Sequence, residues 1–330
     1  MVFIIDSERI GKFINAQYGI AGDHSAVQIC SWTKKALRGQ GVCYKQKFYG
    51  VDCHRCAQMS PAFAWCHESC IHCWRPAEWM TKLSFDRVDD PDYIIQETVK
   101  ERRKLVGGIG GAADVNKRFF RETLNRFPSH WAISLSGEPT IYPKICGLVE
   151  ELRKYKEVKS IFIVTNGQEP DRIEEMASKG CLPTQLYVSV IAPNEKEFKK
   201  LNKSVNPDGW KRLVKTLNML GSLDCRSVIR LTVIKGVNDR PEAIKQFAKL
   251  FEKSKADFIE VKAYMYLGLS RKRLKKENMP FNDYIEEFSE KLAGVTPSYH
   301  IEDKDSRSRI VLFKRNGSNV DNIIRSPLGK

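Results

Sequence analysis

Three cysteines in the string Cys66-His-Glu-Ser-Cys70-Ile-His-Cys73 present three thiolates, not four, from one short loop. A structural zinc site normally closes its tetrahedron with four nitrogen or sulfur ligands. A [4Fe–4S] cube held at three corners keeps its fourth iron open to a ligand that is not protein. Its potential is set by exposure, charge and hydrogen bonds to sulfur. That combination suits one-electron chemistry on a bound cofactor. The competing reading is a zinc knuckle with His67 or His72 as fourth ligand, although zinc motifs rarely use this spacing. Upstream lie Cys30, Cys43, Cys53 and Cys56, the last two forming a local C-x2-C. Three or four thiolates there indicate a second metal centre, iron–sulfur or zinc. The wide spacing does not say which of the four bind.

The elements that must position these groups follow from hydrophobic periodicity. Short apolar runs alternate with longer amphipathic stretches, the rhythm of βα units. Strands are expected at Ala57–Ala64, Trp131–Leu135, Ile161–Thr165, Leu186–Ile191, Val228–Ile234 and Phe258–Met265, with Ile310–Phe313 as a late addition. Helices are expected at Asp92–Leu105, Phe120–Arg126, Tyr142–Tyr155, Pro170–Lys179, Glu195–Asn202, Trp210–Gly221 and Pro241–Ser254. Six such repeats predict an α/β fold, a partial parallel (β/α)6 barrel rather than a closed eightfold one. Functional groups should gather at the C-terminal strand ends. Strand one runs into Cys66, strand two into Ser136-Gly137-Glu138-Pro139, strand three into Thr165-Asn166-Gly167. Strand four carries Ser189, strand five Arg230 and Thr232, strand six Glu260 and Lys262. Cys56 and Cys66 would stand up to ~30 Å apart on a fully extended segment. For two centres to serve one substrate the chain must bend or the strand be shorter, and Pro61 favours that. The expected division is an N-terminal extension 1–55 with the second cysteine group, a barrel core 56–267 and a basic C-terminal extension 268–330.

Composition narrows the partners. The net charge is +15, with basic clusters at Lys34-Lys35 and Arg38, Arg102–Lys104, Lys199-Lys200 and Lys203, and Arg271 through Lys276. Such a surface steers and holds a polyanion. Trp32, Tyr44, Phe48, Tyr49, Trp65, Trp74 and Trp79 could stack unpaired bases, or serve as core and cluster shielding. No apolar run approaches the ~18 residues of a membrane span. The start, Met1 to Asp6, meets an acid before a signal-peptide core could form. A soluble, cytoplasmic monomer is expected. In that reducing compartment the ten cysteines read as ligands rather than disulfides.

The three-cysteine loop resembles that of the radical S-adenosylmethionine superfamily. The resemblance implies that the cofactor's amino and carboxylate groups chelate the open iron. One electron then splits the cofactor into methionine and a 5′-deoxyadenosyl radical. It further implies that Gly137 and Glu138 meet the cofactor's amino group. Thr165 and Asn166 are expected to form a second strand-end contact or else a simple turn. Ser189 and Arg230 are placed for its ribose or carboxylate, the plain alternative being a buried serine and a paired arginine. Longer strings are more specific: Gly22-Asp-His-Ser-Ala-Val-Gln-Ile-Cys30, Cys43-Tyr-Lys-Gln-Lys-Phe-Tyr-Gly50, His54-Arg-Cys56, Ser136–Pro143 and Val261–Arg271 resemble the archaeal 4-demethylwyosine synthase family. What that implies is a tRNA-modifying enzyme of the wyosine pathway. It condenses N1-methylguanosine at position 37 of phenylalanine tRNA with pyruvate, with loss of the carboxylate carbon. A second [4Fe–4S] cluster on Cys30, Cys43 and Cys56 is implied, with Cys53 outside the pattern. So is an external one-electron donor such as flavodoxin or ferredoxin. A lysine can hold pyruvate as a Schiff base if its amine is neutral. Lys45, two residues after Cys43, is the first candidate and Lys47 the second. The auxiliary iron could hold pyruvate instead, and a basic pair contacting phosphate is the plain alternative. Two other readings remain at this point: a radical enzyme that activates a protein, and a zinc-stabilised RNA-binding protein without catalysis.

Overall fold

The computed structural model describes residues 7–80 and 87–325; Met1–Asp6 lies outside them. Ten strands form one continuous sheet, β1 (Gly19–Ala21), β2 (Ser25–Gln28), β3 (Cys56–Ser60), β4 (His130–Ile133), β5 (Ser160–Thr165), β6 (Gln185–Val190), β7 (Arg226–Val233), β8 (Phe258–Ala263), β9 (Tyr299–Asp305) and β10 (Ile310–Arg315). Their spatial order is β1-β2-β3-β4-β5-β6-β7-β8-β10-β9. From β3 to β8 every neighbour is parallel, while β2 joins β3 and β10 joins β8 antiparallel. The result is an unclosed barrel of six βα units. Both terminal extensions continue its sheet, β1–β2 on one flank and β9–β10 on the other.

Alternation divides each central strand between two cores. Ile161, Ile163, Leu186, Val188, Ile229, Leu231, Ile259 and Val261 face the outer helices. Phe162, Tyr187, Val228 and Phe258 face inward. Three of the covering helices, Pro91–Gly107, Pro170–Ser178 and Pro241–Ser254, open with proline at the first turn, where its fixed φ helps and no donor is lost. The inward face is filled by the short helix Tyr44–Tyr49, whose Tyr44, Phe48 and Tyr49 join the inner cluster with Leu312. Each such burial is worth roughly 1.5–3 kcal/mol. From below, the chain near Ile324 seals it, the Ile324 N–H donating to Tyr49 O at 3.0 Å.

Two expectations are corrected. The first barrel strand stops at Ser60, because Pro61 has no donor for the ladder, and Pro61–Ala64 form a turn. At ~3.3 Å per residue, Cys56 at its start then lies only about 13 Å from its far end. Second, Cys146 and Cys181 are paired as a disulfide with Cα atoms 5.3 Å apart. It ties the helix Ile145–Arg153 to the segment entering β6. The other eight cysteines are free thiols.

Candidate cofactor and active site

The turn Pro61–Ala64 delivers Cys66 to the C-terminal mouth of the barrel, and the cluster loop is held there by main-chain bonds. Ser69 N–H donates to Asn202 O at 3.0 Å, Ile71 N–H to Leu201 O at 2.9 Å, and Val205 N–H to His67 O at 2.9 Å. Arg273 clasps the other side, donating to Ile71 O at 3.2 Å and to Cys73 O. A cavity of about 310 Å³ beneath the loop is lined by Cys66, Cys70, Cys73, Gly137, Glu138, Thr165, Asn166, Ser189 and Arg230. Strand ends far apart in sequence thus meet at one place.

Gly137 has φ +69°, and a Cβ there would lie 1.8 Å from Ala62 O. The backbone of the Gly-Glu turn is therefore pressed against the turn that leads into Cys66. Glu138 is buried. Its Oε1 accepts from Thr140 N–H, Thr140 Oγ1 and Thr165 Oγ1 at 3.1, 2.6 and 2.7 Å. Among the described residues its Oε2 accepts from Asn166 N–H alone, at 2.7 Å, and keeps capacity for a further donor such as an ammonium group. Asn166 Nδ2 reaches Cys66 Sγ at 3.8 Å. Thiols pushed up by burial, as at Cys70, need a cation to become thiolates. The residues present therefore fit a three-thiolate cluster with an amino-acid-bearing cofactor beside it. A zinc knuckle here would need His67 or His72 to join the three thiols as fourth ligand. His67 faces Glu169 at 3.1 Å instead.

Arg230 lines the same cavity, but its Nε and Nη2 are committed to Glu260 Oε2 at 3.0 and 2.9 Å and its Nη2 to Tyr44 Oη at 2.6 Å. Its first task is to join the cavity to the barrel interior. Lys45 projects into that interior, its Nζ 4.2 Å from the Phe162 ring centre and 4.6 Å from that of Tyr187. Burial and then the Arg230 charge push its pKa below the usual lysine value. Lys47 does the opposite: it is exposed and bonds Asp303 at 2.7 Å on the surface, so its expected catalytic role has no geometry behind it.

Cys30 caps the helix Ser31–Leu37, accepting from Thr33 N–H at 3.3 Å, Cys43 stands just before Tyr44–Tyr49 without a side-chain cap bond, and Cys56 begins β3. Burial pushes the Cys43 and Cys56 thiols up to about 12, and the neighbouring Cys30 adds to it in both. Cys53 is buried beside them. The aromatic expectation divides. Tyr44, Phe48, Tyr49 and Trp65 are buried core, while Trp74 is 45% exposed with the Arg75 guanidinium 3.7 Å from its ring centre. The side chain of Trp79 lies outside the described residues. Sequence reasoning missed Arg273 as a loop clasp and the tyrosine contacts of Glu260, for which no local string gives a signal.

Comparison with known proteins agrees with this geometry. Residues 61–248 match the radical SAM superfamily model and residues 253–315 match the model for wyosine base formation. The chain is 47% identical over 305 residues to the S-adenosyl-L-methionine-dependent tRNA 4-demethylwyosine synthase of Pyrococcus horikoshii, covering 92% of this chain and 87% of that one. A structure of TYW1 with a lysine–pyruvate adduct bound superposes with a TM-score of 0.86 at 32% identity, covering 97% of this chain and all of that one. A crystal structure of archaeal TYW1 gives 0.77 at 29%, covering 96% and 99%. Activation of a protein partner and non-catalytic RNA binding are not favoured by any of these. A three-cysteine loop over a Gly-Glu cradle, with relatives of this identity along nearly its whole length, places the chain in the radical SAM family of tRNA 4-demethylwyosine synthases.

Proposed function

We propose that this chain builds the tricyclic 4-demethylwyosine base from N1-methylguanosine at position 37 of phenylalanine tRNA and pyruvate, with Lys45 holding the pyruvate. The observation that carries this reading is an amine seated inside the barrel on two aromatic rings, with no carboxylate partner among the described residues. The TYW1 relative with a lysine–pyruvate adduct supports it. Cys66, Cys70 and Cys73 would hold the cluster, and Glu138, Asn166 and the Gly137 backbone would seat S-adenosylmethionine. When bound, that pair supplies a carbon-centred radical able to abstract hydrogen from the N-methyl group. The protein's own part is positional and nucleophilic. Lys45 Nζ adds to the pyruvate carbonyl carbon and expels its oxygen as water, leaving an imine and the 2-oxo acid fixed in place. The N-methyl carbon radical bonds to the imine carbon, and the bond from that carbon to the carboxylate breaks. The carboxylate leaves as a one-carbon radical anion that one electron from the donor and one proton convert to formate. The guanine amine closes the ring by displacing the Lys45 amine, a carbon–carbon lyase outcome. Cys30, Cys43 and Cys56 would hold a second [4Fe–4S] cluster at the start of β3, on the pyruvate side, and an external one-electron donor is required.

Anaerobic reconstituted protein with N1-methylguanosine tRNA, pyruvate, cofactor and reductant should give a new fluorescent base. Formation of 5′-deoxyadenosine without that base would point to another substrate.

The modified purine must leave its stack to reach the barrel mouth. Lys235, Arg271, Lys272, Lys275 and Lys276 are the cations around that mouth that suit the anticodon stem-loop; all but Lys275 and Lys276 follow a barrel strand directly or sit on the turn Gly268–Lys272. Arg273, in the middle of that run, is withdrawn to the cluster loop. Replacing Arg271, Lys272, Lys275 and Lys276 together with alanine should weaken tRNA binding and flatten its log–log salt dependence by about 0.7–0.9 per lost phosphate contact. Arg273→Ala alone should leave that slope unchanged and lower the iron retained after reconstitution. Filter binding across a potassium chloride series, with iron analysis, separates the two.

A further inference from the structure

Lys45 rides on a helix of six residues, too short to hold a direction by its own hydrogen bonds. What fixes it comes from across the barrel. Glu260 on β8 is 0% exposed. Its Oε1 accepts from Tyr49 Oη at 2.8 Å and its Oε2 from Tyr44 Oη at 3.1 Å, alongside the two bonds from Arg230. Tyr44 and Tyr49 are the first and last residues of the helix, so one carboxylate grips both ends. Burial pushes the Tyr49 phenol well above its usual range, so it stays protonated and donates. Three of these four bonds fall on Oε2 and one on Oε1, and all four come from Tyr44, Tyr49 and Arg230. Lys262, two residues along the same face of β8, turns its amine to Ser308 O at 2.9 Å and does not compete for Glu260.

We infer that Glu260 is the positioning residue of the reactive lysine: through Tyr44 and Tyr49 it holds the helix so that Lys45 points into the barrel, and, engaged by those tyrosines and Arg230, it makes no hydrogen bond to that amine among the described residues and leaves it for a 2-oxo acid. The inference rests on the reading of Lys45 given above. A network that served stability alone would alter melting and leave pyruvate handling untouched. A positioning network changes how much pyruvate is needed to capture the amine, without changing whether the amine can react.

The test uses the full reconstituted chain, with pyruvate and sodium cyanoborohydride to trap the imine, read by intact mass and peptide mapping. In Tyr44→Phe/Tyr49→Phe the pyruvate concentration for half-maximal trapping should rise about tenfold, the scale of one to two net hydrogen bonds. The adduct should still reach full occupancy and map to Lys45. Tyr49→Phe alone, the mildest change, should give a smaller rise in the same direction, and Glu260→Gln a larger one. Wild-type half-saturation in a folded double variant, with only the melting temperature lowered, overturns the positioning role. An adduct that maps to Lys262, or that survives Lys45→Ala, overturns the reading beneath it and the inference with it.

Discussion

Lys45→Ala should abolish formation of the tricyclic base, by ~10³-fold or more, while the cofactor is still cleaved to 5′-deoxyadenosine. The size follows from what the lysine does. A covalently held 2-oxo acid meets the substrate carbon as an intramolecular partner, and well-oriented partners of that kind reach effective molarities far above any free pyruvate concentration. The cofactor cavity has its own residues, and Lys45 is not among those that line it, so cleavage does not depend on the amine. Lys45→Arg keeps the positive charge and much of the length but cannot form an imine, so it should fail equally. Lys47→Ala should act like wild type, because its side chain lies outside on Asp303. Separate measurement of the fluorescent base and of 5′-deoxyadenosine gives both quantities. If Lys45→Ala makes the base at near wild-type rate, pyruvate is held elsewhere, and iron at the Cys30, Cys43 and Cys56 centre becomes the first place to look.

The difference between the two lysines was present in the sequence. At ~100° per residue, a helix beginning at Tyr44 puts Phe48 and Tyr49 on one arc with it, and Lys45 falls inside that arc while Lys47 falls opposite. Spacing from Cys43 alone could not separate them; the phase of the aromatic residues does. The six barrel strands were legible for a similar reason, since runs such as Ser160–Thr165 and Phe258–Ala263 are apolar enough to mark themselves. β1 and β2 were not, being three and four residues long with no period to detect. β9 was hidden by its composition: Tyr299–Asp305 is mostly charged, as suits an exposed edge strand. The cofactor cavity was legible because its chemistry sits in compact strings at strand ends. The Tyr44, Tyr49, Arg230 and Glu260 network was not. Its members are more than 200 residues apart across the tyrosine–carboxylate bonds, and each alone is an ordinary buried residue. Cys146 and Cys181 escaped notice for the opposite reason. The clustered cysteines upstream argued for ligands, and 35 residues of separation gave no hint that a helix and a strand entrance would bring this pair together.

Gly137→Ala should be the most damaging single methyl that can be added at the barrel mouth. Two independent costs coincide there. The residue has φ +69°, a left-handed conformation costing a non-glycine residue roughly 1–2 kcal/mol. The new Cβ would also lie 1.8 Å from Ala62 O and 2.6 Å from Trp65 O, both of them backbone atoms. Those carbonyls belong to the turn that carries the chain into Cys66, and Trp65 O already accepts the Glu138 N–H at 2.7 Å. Nothing on that side can swing away, so relief must come from parting the Gly-Glu turn from the cluster loop. That moves Glu138 relative to the thiolates, and the expected loss of S-adenosylmethionine affinity is ~100-fold or more, about 2.7 kcal/mol, before any loss of iron. Gly167→Ala and Gly236→Ala are the controls. Both have φ +74°, but at Gly167 the nearest atom is a leucine methyl at 3.0 Å, and at Gly236 nothing lies within 4 Å. Gly236→Ala should therefore show the backbone cost alone, and Gly167→Ala that cost plus a small side-chain shift. Equilibrium dialysis of the cofactor with thermal melts on all three should rank Gly137 far below the others. Equal affinities across the series would mean that the cradle yields, and that the close approach at Gly137 does not hold the cofactor site together.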